Sequence, residues 1–157
     1  MLGHWPDSRV KLFLIAKLLK FRRAHAELFN AGEYIPLHAA GEMANNVCAF
    51  ARRHGRVWVV AIAPRLIGRI AYRLGAPLSE DLWAATELDL PLAAPQLWLD
   101  VISGEAIEAT SRLELNRLSL GHAFKHFPVA LLYHEDTADS SQSVEESARA
   151  GIIEHSA

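Results

Sequence analysis

The first pattern along the chain is helical. It opens at Asp7 or Ser8, either of which caps a helix by accepting a backbone N–H, and runs through good helix formers to about Arg23. Val10, Leu14, Leu18 and Phe21 recur at the spacing of one helix face, while Leu12, Ile15 and Leu19 form a second stripe on a different side. Both stripes call for burial. A small sheet covers one face of a helix, so a helix apolar on two sides is expected inside something larger than one small domain. A second short helical turn, His25 to Phe29, follows, and Gly32 releases the chain into a different pattern.

From Glu33 the apolar positions come in short β-type runs: Tyr34–Ala39, Val47–Arg53, Val57–Ala63, Trp83–Leu90 and Leu97–Ile102, with later pieces at Ile107–Thr110, Arg112–Leu115 and Val129–His134. Gly41, Asn45-Asn46, His54-Gly55, Pro91 to Pro95 and Ser103-Gly104 supply turn chemistry at sandwich-like intervals. The expected fold is therefore mainly β, an antiparallel β-sandwich preceded by one long α-helix. Two insertions interrupt it: Arg65–Leu74 has helical spacing, and Leu118–His126 reads as a short helix closed by Pro128. Beyond Glu135 large apolar residues become sparse, and the tail is expected to stay disordered. The chain thus divides into a helical segment (1–31), a β-domain (32–135) and a tail (136–157).

Composition narrows the classes. The 157 residues suffice for one core, and the formal charge of −2 gives no field to gather polyanions, so no nucleic-acid partner is expected. Cys48 is the single cysteine, which excludes an internal disulfide or a four-thiolate site and fits a reducing cytoplasm. Leu12–Leu19 is interrupted by Lys17 and is too short to span a bilayer, which takes about 20 apolar residues. The helix is basic, with Lys11, Lys17, Lys20, Arg22 and Arg23, but Lys11, Lys17 and Lys20 do not gather on a single polar face opposite a single apolar one, so burial against protein is preferred to a membrane surface.

The candidate chemistry is thin. His122 and His126 share a helix spacing used by zinc sites, but the glutamate of an HExxH motif is missing, and no metal or cofactor is expected. Cys48 lies in an alternating strand without a paired base and reads as a buried small residue. Glu80-Asp81, Glu87, Asp89, Asp100 and Glu105 read as a solvated face, although a glycosidase needs only two carboxylates. Trp58, Trp83 and Trp98 are first of all core. Trp83 and Trp98 begin strands beside turns, and they are the candidates for stacking on a sugar ring.

The order of the motifs adds more than any one of them. His4-Trp5-Pro6-Asp7-Ser8-Arg9-Val10-Lys11-Leu12 is followed by Phe21-Arg22-Arg23-Ala24-His25, Glu27-Leu28-Phe29 and Gly32-Glu33-Tyr34. Then come Cys48-Ala49-Phe50-Ala51-Arg52, Ala63-Pro64-Arg65-Leu66, Trp83 with Thr86, Leu90-Pro91, Trp98 with Asp100, Ser103-Gly104 and Phe127-Pro128-Val129-Ala130-Leu131-Leu132. From His4 to Leu132 this series resembles the C-terminal end of the maltooligosyl trehalose synthases, in the α-amylase-like group of glycoside enzymes. Ala26 and Ala84-Ala85 depart from the usual family residues, a proline and a Gly-Asp pair.

The resemblance implies a parent enzyme, a glucosylmutase, that isomerises the reducing-end α-1,4 linkage of a maltooligosaccharide to α,α-1,1. That enzyme would use aspartate and glutamate residues at the mouth of a (β/α)8 barrel. No position here matches those residues, so no catalytic residue is carried over. The resemblance implies instead the barrel's last helix followed by an α-amylase-type C-terminal β-sandwich. Val10, Leu12, Leu14, Ile15, Leu18, Leu19 and Phe21 would then be the barrel-packing residues. The expected role is that of a non-catalytic accessory fragment. Its partner is the absent catalytic barrel, with maltooligosaccharide contact through Trp83 or Trp98 and self-association through the exposed helix as further expectations. The alternative is an independent carbohydrate-binding or protein-interaction module.

Overall fold

A computed structural model describes residues 8–68, 80–112 and 114–136. Helix α1 spans Ser8–Ala24 and α2 spans Ala26–Asn30. Strands β1 (Glu33–Gly41), β2 (Val47–His54) and β3 (Val57–Pro64) follow, with a 3-10 turn at Ala44–Asn46 between the first two. Beyond them lie α3 (Glu80–Trp83), β4 (Thr86–Leu90), β5 (Leu97–Asp100), β6 (Ala106–Glu108), β7 (Thr110–Arg112), β8 (Leu115–Ser119), α4 (Leu120–Ala123) and β9 (Ala130–Glu135).

The nine strands pair antiparallel in the order β6-β5-β9-β3-β2-β1-β4-β8-β7. One strand makes this a two-layered, sandwich-like arrangement. The first half of β1, Glu33 to Leu37, pairs with β2, whereas His38 to Gly41 pairs with β4. β1 is therefore shared between a larger sheet (β6-β5-β9-β3-β2-β1) and a smaller one (β1-β4-β8-β7). Gly41 ends that strand at φ +115°, where an added Cβ would lie 2.0 Å from the Ala85 carbonyl oxygen, so the corner needs glycine on two counts.

Alternation sends one set of side chains between the layers. Trp58, Val60 and Ile62 of β3, Trp98 of β5 and Leu132 of β9 meet Leu88 and Leu90 of β4 and Leu118 of β8 in the main core. The opposite face of β3 is covered as well. Val57, Val59 and Ala61 pack with Leu131 against Leu18, Phe21, Leu28 and Phe29 of the helical segment. A strand buried on both faces reads as a continuous apolar run, which is why β3 is Val-Trp-Val-Val-Ala-Ile-Ala and not an alternating sequence.

The mainly β fold with a leading helix follows the expectation from the sequence pattern. Several local expectations are corrected. The run Trp83–Leu90 is not one strand: Trp83 closes the helical turn α3, Ala84-Ala85 turn, and β4 begins at Thr86. Leu118 belongs to β8, leaving α4 only Leu120–Ala123 of the expected helix Leu118–His126. Arg112 ends β7 and Leu115 begins β8, and the two pair with each other, so the expected strand Arg112–Leu115 is divided between two antiparallel strands, with Leu113 outside the described residues. Arg65, Leu66 and Ile67 are not helical, and the remainder of the expected helix to Leu74 lies outside the described residues except Gly68. Asp7 and all of the expected tail but Asp136 also lie outside them. Among the described residues no helix is long and apolar enough to cross a membrane.

Candidate functional site

The two stripes of α1 meet different fates. Val10, Leu14, Leu18 and Phe21 are all partly buried, the last two directly on the outer face of the larger sheet. Aromatic contacts fix the C-terminal end of the helix: the Phe21 ring meets Tyr133 edge-on at 5.3 Å and Phe29 at 6.2 Å, and His25 lies 4.8 Å from Tyr133. Toward the N-terminal end Phe13 stacks near Phe127 at 6.3 Å, and the Lys17 ammonium donates to the Ile102 carbonyl at 2.8 Å. Held at both ends, the helix presents a fixed outward side.

That outward side carries the second stripe. Leu12, Ile15 and Leu19 are 68%, 45% and 49% exposed, and Phe13 at its margin is 48% exposed. Of the seven helix residues expected to pack on a partner, the structure brings Leu18 and Phe21 onto the sheet, leaves Val10 and Leu14 partly covered, and leaves only Leu12, Ile15 and Leu19 open. Several neighbouring large apolar side chains fixed in solvent mark a contact surface more often than single scattered ones do.

The charge on this helix is one-sided. Six of its 17 residues are basic and none is acidic. Lys11, Lys20, Arg22 and Arg23 make no ion pair among the described residues, and the Arg22 guanidinium lies 5.9 Å from the Phe29 ring centroid. At about 100° per residue, Lys11 and Arg22 border the Leu12–Ile15–Leu19 stripe on one side and Arg23 on the other. Where α1 meets α2, a notch of about 280 Å³ opens at the end of the stripe, lined by Leu19, Arg22, Arg23, Ala26, Phe29 and Asn30.

Over 127 residues, 80% of this chain, the sequence is 32% identical to a protein of Mycobacterium tuberculosis provisionally named maltooligosyl trehalose synthase, in strains CDC 1551 and H37Rv alike. The match is distant and partial. It covers only 14% of the length of those relatives, so this chain spans about a seventh of the proteins it matches. No family model and no solved structure matches the chain.

The other candidate residues are placed as follows. Trp83 and Trp98 are 0% and 1% exposed, core residues as first expected, and so poorly placed for the sugar stacking for which they were the candidates. Trp83 turns under the sheets from α3 and meets the Phe124 ring at 4.9 Å, and Trp98 points inward from β5. Neither offers a ring face to a sugar. Trp58 is core as expected. Cys48 is exposed, contrary to expectation, because its position on β2 alternates outward from the more buried Ala49 and Ala51.

The carboxylates are not one solvated set. Glu87 and Asp89 flank Arg117 at 3.1 and 3.3 Å on the smaller sheet. Asp100 is 4% exposed, and its carboxylate accepts from Ile102 N at 3.1 Å, Ser103 N at 3.0 Å and Ser103 Oγ at 2.7 Å, with a longer contact to Leu131 N at 3.4 Å. A carboxylate so occupied holds a turn and has no lone pair aimed at a substrate. His126 lies 2.8 Å from Glu105 and Lys125 3.6 Å from it; the bond from His126 holds the Glu105 carboxyl below its ordinary value. Glu105, Gln96, Glu108, His122 and Lys125 border an open polar cleft of about 650 Å³ over the crossing from β6 to β7. Among the described residues that line it there is no Phe, Tyr or Trp. Among the described residues no three His, Cys, Asp or Glu side chains group as metal ligands.

Proposed function

We propose that this chain serves as an accessory, non-catalytic β-domain of a maltooligosyl trehalose synthase-type enzyme, docking through the outward face of α1 onto a catalytic barrel. In that enzyme the barrel would convert the reducing-end α-1,4 linkage of a maltooligosaccharide to α,α-1,1. The observation that carries the reading is the fixed, solvent-facing stripe Leu12, Ile15, Leu19 on a helix whose other side is already packed. Burying the exposed half of three such side chains contributes about 3 kcal/mol, a useful share of a domain interface but too little to hold a partner by itself. The distant likeness to proteins about seven times the length of the matched stretch supports a role as one part of a larger assembly.

The reading also accounts for the chemistry. The buried tryptophans stiffen the sandwich, Asp100 holds the β5–β6 turn, and Lys17 ties α1 to that turn, so the helix is presented as a rigid element. The test is a loss-of-reducing-ends assay on maltoheptaose. The chain alone is expected to give no turnover and no heat of binding in titration. Added to the mycobacterial relative deleted of its matched stretch, it is expected to raise that protein's thermal midpoint. Turnover by this chain alone would overturn the non-catalytic reading.

A further inference from the structure

Deepening the docking reading, on which it rests, we infer that the notch between α1 and α2 is the anchor of the interface, and that it receives a carboxylate from an apolar partner surface rimmed with acidic residues. Three observations converge there. The notch continues the exposed stripe through Leu19, which lines it and is itself 49% exposed. Arg22 and Arg23 both line it and carry no ion pair among the described residues, so two guanidinium groups stand ready at the end of an apolar strip. The whole helix contains six basic residues and no acidic one, although the chain as a whole is slightly negative.

Charge decides among occupants. A second copy would bring the exposed Lys11, Lys20, Arg22 and Arg23 against the same four charges, which disfavours a dimer through this face. A bilayer would meet only a short stripe, Leu12, Ile15 and Leu19 with Phe13 at its margin, since Leu18 and Phe21 are engaged by the sheet. It would also leave the notch unfilled. A protein surface with an apolar strip and carboxylates at its border satisfies every exposed group. Its carboxylate gains paired N–H donors from the planar fork of an arginine, which an ammonium cannot supply. Packing of the Phe29 ring against Arg22 holds one fork in place before docking.

The experiment titrates the full chain into the mycobacterial relative deleted of its matched stretch, at low and at high sodium chloride. Binding is expected to weaken about tenfold or more in the R22E/R23E double variant and with rising salt. R22K/R23K is expected to recover only part of the loss, and Arg112→Glu, on the edge strand β7 of the smaller sheet, is expected to change nothing. All these variants should keep the wild-type thermal midpoint, which separates lost docking from lost folding. Binding indifferent to salt and to R22E/R23E would sink the acidic anchor while leaving the docking reading intact. No binding by the unmodified chain would sink both. Capture by vesicles of phosphatidylglycerol in place of the protein probe would reassign the face to a membrane.

Discussion

The Asp100 carboxylate is buried with no cationic partner among the described residues, and what makes this tolerable is the number of donors converging on it. Three hydrogen bonds of 2.7 to 3.1 Å, two of them from main-chain N–H groups, replace the water it loses. An asparagine of the same shape turns one acceptor into an NH2 that faces those donors. Asp100→Asn is therefore expected to cost about 1–3 kcal/mol in urea unfolding, the penalty for leaving a buried donor unpaired. A change under about 0.5 kcal/mol would mean that water enters the turn. At this scale the sequence was least legible. An aspartate before Ser103-Gly104 announces a turn but not that the carboxylate is buried in it. Trp83 and Trp98 stand beside turns as exposed residues do, and only the fold shows that a turn can direct a large ring inward. Tyr133 makes the same point: burial, helped by the bond it donates to Glu135, pushes its hydroxyl up to about 12, and no local sequence signal marks this.

Helix α1 is the element whose two-sided pattern spoke plainly. Period alone separated Val10, Leu14, Leu18 and Phe21 from Leu12, Ile15 and Leu19, and the structure covers the first set and exposes the second. What period does not reveal is which stripe the chain itself buries, since either is apolar enough; the contacts of Phe21 with Tyr133 and Phe29 decide it. The two sets should therefore differ in energy. Phe21→Ala removes a partly buried ring from the clamp and is expected to lower stability by about 2 kcal/mol, less than the 3–5 kcal/mol of a full core site. Ile15→Gln, similar in helix propensity and in solvent, is expected to stay within about 0.5 kcal/mol of the parent. Thermal melts of the two variants side by side check both values. A large loss in Ile15→Gln would show the outward stripe to be covered within the chain itself. Strands were legible where alternation or a continuous apolar run was clean, as in β2 and β3. They were misjudged where a turn was hidden in an apolar stretch, at Trp83-Ala84-Ala85 and at Leu118-Ser119-Leu120, because periodicity over three or four residues cannot separate strand end from helix start.

On the scale of the whole molecule, the layers are helix on the larger sheet and the larger sheet on the smaller one, and the outermost layer is apolar and basic at once. These two properties act oppositely when chains meet their own kind. Exposed Leu12, Ile15 and Leu19 draw copies together, while six positive charges on each helix keep them apart. Salt tips that balance, because the screening length falls from about 10 Å at 0.1 M to about 3 Å at 1 M while apolar attraction persists. The chain alone is therefore expected to sediment as a monomer at low salt and to shift toward larger species as sodium chloride and protein concentration rise. The triple variant Leu12→Gln, Ile15→Gln, Leu19→Gln should stay monomeric throughout. This direction is opposite to the salt dependence expected for docking on an acid-rimmed partner, so sedimentation and titration together distinguish attraction between like-charged faces from recognition of an unlike one. If the parent chain remains monomeric at high salt, as the triple variant does, the stripe is too weakly apolar to drive association, and docking must draw mainly on the arginines at its end.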